Sequence, residues 1–192
     1  DNIQWMMQDF ASRYYDIPEA EDVKMTFGLP VATLAMMAPV QFNNLMGLQK
    51  QNCSLMEMLG GGYYYVDTYS QDHNRKTNLR VAAKRLAVSM RQYQIKLLGI
   101  MAMDVKSEAA KEAYQVYVDA NDQLEGIVVL QYSPYAGGEG EVFWVTNKAG
   151  YDIPVITVKY SLWDRIHERE GSPDFIASKL KEEAQEESFS VV

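Results

Sequence analysis

The chain alternates short apolar runs with stretches of helical period, and this alternation constrains its fold more than any other feature. Residues 95–103 form an almost continuous apolar run, the pattern of a strand covered on both faces, and residues 126–131 form another. Residues 23–29, 54–59, 141–146 and 153–160 add further strand candidates. Between them, residues 76–94 carry Leu79, Ala82, Ala83, Leu86, Met90 and Tyr93 at helical spacing. Residues 30–50 read as a helix opened by Pro30, in which Pro39 predicts a kink or a break. Ser107 is placed to cap another helix, with Glu108 and Glu112 in its first turns. Ser172-Pro173 opens a last helix, and residues 1–12 are also helical in pattern, with Trp5, Met6 and Phe10 as the apolar stripe.

Strands alternating with helices predict an α/β domain with a mainly parallel sheet and right-handed crossovers. Six or seven strands suit a partial or irregular (β/α) barrel, with an open doubly wound sheet as the alternative. A length of 192 residues suits a single domain over residues 1–192. The chain begins at Asp1 rather than Met, and its last apolar run, 189–192, reads as a strand whose continuation is missing. The expectation is therefore a fragment of a larger chain, in which a missing export signal carries no information.

The net charge of −8 argues against nucleic acid as a partner, because binding phosphates needs a basic surface. The basic positions Arg75, Lys76, Arg80, Lys84, Arg85 and Arg91 fit the wet face of one amphipathic helix. No apolar run approaches the roughly 20 residues of a membrane-spanning helix. Cys53 stands alone, so no internal disulfide forms. His73 and His167 lie far apart without metal-ligand spacing, and neither a metal nor a cofactor is expected.

In parallel α/β architectures, ligands bind at the carboxyl ends of the strands. The residues that follow the apolar runs are Asp1-Asn2, 60–67, Asp104, 132–140 and 160–164. They are rich in Tyr, Trp, Asp and Gly, the composition of a carbohydrate site, where aromatic rings stack on sugars and carboxylates act as acid and base. Each also has a plainer reading. Asp1 or Asn2 would cap a helix, and Asp67 and Asp104 are ordinary turn residues. Glu139, between glycines, is either a solvent-exposed turn residue or a mobile acid. Tyr63 and Tyr65 share side-chain parity in an extended segment and would point together into a cleft, with Tyr64 facing the other way. Trp163 is either a sugar platform or a core residue. Met36, Met37, Met56, Met58, Met101 and Met103 read as packing residues.

At Gly60-Gly61-Gly62-Tyr63-Tyr64-Tyr65-Val66-Asp67 the sequence resembles the signature of the GxGYxYP putative glycoside hydrolase family, common in gut Bacteroidetes. Gly60, Gly62, Tyr63 and Tyr65 match, and Val66 stands where the motif has its final proline. Asp1-Asn2-Ile3-Gln4-Trp5, with Asp9-Phe10 beyond it, is similar to another family segment. So are Phe27-Gly28-Leu29-Pro30 and Pro154-Val155 with Tyr160-Ser161-Leu162-Trp163. The resemblance covers nearly the whole chain and implies a C-terminal domain, a carbohydrate substrate and a secreted or periplasmic location. The expected acid–base pair comes from Asp1, Asp67, Asp104 and Glu139, and the expected sugar contacts from Asn2, Tyr63, Tyr65, Tyr132 and Trp163. A non-catalytic glycan-binding module and a metal-dependent hydrolase or deacetylase are the alternatives.

Overall fold

The computed structural model describes residues 12, 13, 17, 18, 25–47, 53–58, 63–70, 73–132, 135–162 and 171–184. The expected helix over 1–12 lies almost wholly outside them, and the expected strand at 189–192 lies outside them altogether. Among the described residues six strands form one sheet: β1 (Met25–Leu29), β2 (Cys53–Met58), β3 (Leu97–Ala102), β4 (Gly126–Gln131), β5 (Val142–Thr146) and β6 (Asp152–Thr157). The helices are α1 (Val31–Met37), α2 (Pro39–Gly47), α3 (Arg75–Gln92), α4 (Glu108–Ala120) and α5 (Pro173–Ala184).

Strand order is β1-β2-β3-β4-β6-β5. All neighbours pair in parallel except β5 with β6, which are antiparallel and leave β5 at the edge. The order of the parallel strands never reverses, as it would in a doubly wound sheet. The sheet is open and wound in one direction, as in a segment of a (β/α) barrel. Right-handed crossovers between successive neighbours all fall on one face. Leu55, Leu98, Ile100, Ile127, Val129 and Val155 from that face share a core with residues of α1 to α4.

Local chemistry explains the element ends. Pro39 splits the expected helix at Ala38, because proline offers no N–H and restricts the residue before it. The side chain of Ser107 caps α4 by accepting from Ala110 N. Ser172 accepts from Phe175 N at 3.3 Å in the same way. Helix α1 has no cap from its own flank; instead Val31 N donates to the carboxylate of Glu57 on β2 at 2.9 Å. Glu57 is fully buried, and an acidic group suits the positive end of a helix. Met36 and Met37, expected in the core, are exposed, because the short α1 turns Val31 and Leu34 inward.

The second face of the sheet is built differently. Met56 and Met58 cross over Gly28 and Gly99, and a Cβ on Gly99 would meet the Met58 sulfur at 2.4 Å. Register carries this face across β3, β4, β6 and β5 through Met101, Leu130, Val128, Ile156 and Val142.

Candidate functional site

The carboxyl ends of β2, β3 and β4 meet at one rim. After β2 the chain leaves the sheet and returns beside β3, where Tyr65 bridges Met101 and Val66 N donates to Met101 O at 2.9 Å. Proline could not make that bond, so Val66 in place of the motif's proline supplies a sheet contact, and its side chain is fully buried. Arg75 fastens the same segment: its guanidinium donates to Val66 O, Ala109 O and Glu112. With its side chain only 15% exposed, Arg75 is a brace between the loop and α4 rather than part of a wet helix face.

The extended segment sorts its tyrosines by parity. Tyr64 points to the helix side, where its hydroxyl meets Tyr117 at 2.5 Å and its ring packs on Tyr69. Tyr63 and Tyr65 point to the other side. The Tyr65 ring lies 6.0 Å from Tyr63 and 5.2 Å from Tyr132, and Tyr132 lies 5.6 Å from Tyr135. Tyr63 is 69% exposed, so this aromatic array opens to solvent. Desolvation, followed by the hydrogen bond and charge of Tyr63, pushes the Tyr65 phenol up to about 12. Desolvation also raises Tyr135, which feels Tyr132 and Tyr63 next. Tyr135 was missed in the sequence; its only signal was its place in the run after β4.

The carboxylates hold different posts. Both oxygens of Asp67 accept from Met103 N at 3.0 Å, and one accepts from Asp104 N at 2.9 Å. Asp67 thus shapes the turn after β3. The exposed Asp104 accepts from Lys106 N at 2.9 Å and through its carbonyl from Ser107. Lys106 Nζ reaches Glu139 at 3.4 Å and Glu141 at 2.7 Å. One lysine therefore joins Asp104, through its backbone, to Glu139, through its ammonium. The hydrogen bond that Lys106 donates to Glu141 is the main cause that raises the Lys106 pKa.

Glu139 sits in a tighter loop than its glycines suggest. Thr157 Oγ1 donates to Gly138 O at 2.8 Å, and a Cβ on Gly138 would fall 2.3 Å from Thr157 Cβ. Glu139 itself has φ +57°, a conformation that side chains other than Gly, Asn and Asp rarely adopt. Asp1, Asn2 and Trp163 lie outside the described residues. Among the described residues, no group of three or more His, Cys, Asp and Glu side chains is set to hold a metal ion. No described helix is long and apolar enough to cross a membrane.

The fold and rim define an α/β domain with an open, mainly parallel sheet and an aromatic and carboxylate surface at its strand ends. The chain belongs to the family of the GxGYxYP putative glycoside hydrolase C-terminal domain, which matches residues 1–191. Its fold is similar to the crystal structure of a putative hydrolase from Bacteroides thetaiotaomicron, with a TM-score of 0.67 and 16% identity. The match covers 93% of this chain and 32% of that one, so the chain spans about a third of its solved relative. No curated protein matches the sequence.

Proposed function

We propose that this domain forms the carbohydrate-binding rim of a secreted or periplasmic glycoside hydrolase. The observation that supports the reading is the open array of Tyr63, Tyr65, Tyr132 and Tyr135 at the strand ends, with Asp104 and Glu139 in the loops that follow β3 and β4. Aromatic faces stack on the apolar faces of sugar rings. In this reading Asp104 and Glu139 supply the acid–base pair, one protonating the leaving oxygen while the other activates water or attacks the sugar. Asp67, tied to backbone N–H groups, holds the turn that carries Asp104. Asp1 stays a candidate for the acid–base pair, and Asn2 and Trp163 for sugar contacts, all three outside the described residues.

The glycan-binding module remains the second reading, and one observation favours it: Glu139 is paired with Lys106 and Asp67 with backbone, so both serve the structure directly. Turnover of a glycan panel by the full-length protein separates the two. Asp104→Asn and Glu139→Gln are expected to cut turnover about 10²–10⁴-fold, the usual contribution of acid–base groups, while glycan binding persists. Unchanged turnover in both variants defeats the catalytic assignment. Binding without any turnover in the parent protein gives the module reading.

A further inference from the structure

The two faces of the sheet are covered unequally. Helices α1 to α4 seal one face, where Leu98, Ile100, Ile127, Val129 and Val155 are all buried. On the other, Met56 and Met101 are buried, but Met58, Val128, Leu130 and Ile156 are partly exposed, and Val142 is 41% and Trp144 is 66% exposed. Register places Trp144 beside Pro154 and Val142 beside Ile156, which extends this apolar surface to the edge of the sheet. Predominantly parallel sheets are stable with both faces covered, because helical crossovers leave few polar positions on either side. An apolar face of this kind calls for a partner.

We propose that this face packs against another part of the same, longer polypeptide, which then forms the second wall of the tyrosine-lined cleft. Three observations select this occupant over a second copy of the domain. The family is described as a C-terminal domain, which implies polypeptide on its N-terminal side. The matched fold fills 32% of the solved relative's chain, so this α/β unit occurs there within a larger protein. The apolar face also runs directly into the rim: Tyr65 bridges Met101 on this side of β3, and Tyr132 follows Leu130 on β4. A covering segment of the same polypeptide would enclose the tyrosines from their open side. The inference concerns packing and stands independently of the proposed hydrolysis.

Hydroxyl-radical footprinting of the polypeptide as encoded, at full length, provides the test. Modification of Trp144 is read against that of Tyr151, which is 70% exposed at the opposite ends of the strands, each scaled to its rate in the unfolded chain. The expected result is strong protection of Trp144 at every protein concentration, with Tyr151 left reactive. Equal reactivity of the two residues overturns the proposal. Protection that appears only as the protein dimerises, followed by light scattering, also overturns it in favour of a second copy. Trp144→Glu supplies an independent arm: it is exposed in the domain, so the domain itself should fold, but limited proteolysis should release the domain from the full-length chain faster. Unchanged release by proteolysis counts against the proposal.

Discussion

Tyr64 and Tyr65 are neighbours in sequence and have opposite surroundings. Tyr64 enters the helix-side core with Tyr69, Tyr114 and Tyr117, where the Tyr64 and Tyr117 hydroxyls bond each other and Tyr114 donates to Val105 O at 2.7 Å. Tyr65 joins Tyr63, Tyr132 and Tyr135 on the opposite side, where rings touch rings and Tyr63 opens to water. The same residue type thus serves as cement on one side and as a platform on the other. Strand parity alone decides which, so the contrast predicts that substitutions on the core side affect stability and those on the rim affect ligand contact.

The largest stability effect is expected at Tyr114. It is fully buried, stacks on Phe143 and holds the loop between β3 and α4 by its hydroxyl. Burial, then the charges of Asp67 and Asp104, raises its pKa. Tyr114→Ala removes a large core ring and should cost about 3–5 kcal/mol in denaturant unfolding. A loss below about 1 kcal/mol would erase the distinction between the two tyrosine sets.

Asp67 tests whether the rim can be separated from its supports. Asp67→Ala leaves Met103 N and Asp104 N to water, since both bonds lie at an exposed turn. A cost of about 1–2 kcal/mol is expected, comparable to losing a helix cap. Tyr117→Phe should cost about 1 kcal/mol, because it removes only the hydroxyl that meets Tyr64. Equilibrium unfolding of the two variants ranks them against Tyr114→Ala.

Much of this arrangement is legible in the sequence, and the limits of legibility are physical. The apolar runs gave the parallel strands, Pro39 the helix break and Ser107 the cap, because each signal acts within a few residues. The opposed directions of Tyr63, Tyr64 and Tyr65 followed from a period of two. Glu57 escaped notice: it was the single charge in an apolar strand, and its partner Val31 N is 26 residues away. Lys106 escaped, and Arg75 was read as part of a wet helix face, for the same reason, since Glu139 lies 33 residues from Lys106 and Ala109 lies 34 from Arg75. The glycines around Glu139 suggested mobility, yet Gly138 is glycine because Thr157 of a different strand packs against it. Spacing reports on neighbours in sequence, and the site is assembled from distant ones.

The smallest expected effect is also the most specific to the rim. Desolvation, with Tyr63 as the next cause, raises the Tyr65 phenol from 10.0 to about 12. A raised folded value means that the protonated form is favoured in the folded state. The associated stabilisation is fully present below about pH 10 and is lost as pH rises through about 12. An ultraviolet titration of the parent protein minus that of Tyr65→Phe isolates this phenol from Tyr160, which is also pushed up to about 12 by desolvation and by Glu183. The difference curve should rise near pH 12, and bound glycan should move it higher by removing more water from the ring. A midpoint near 10 would mean that Tyr65 stands free in solvent, and the ordered aromatic platform would then be lost as the basis for sugar binding.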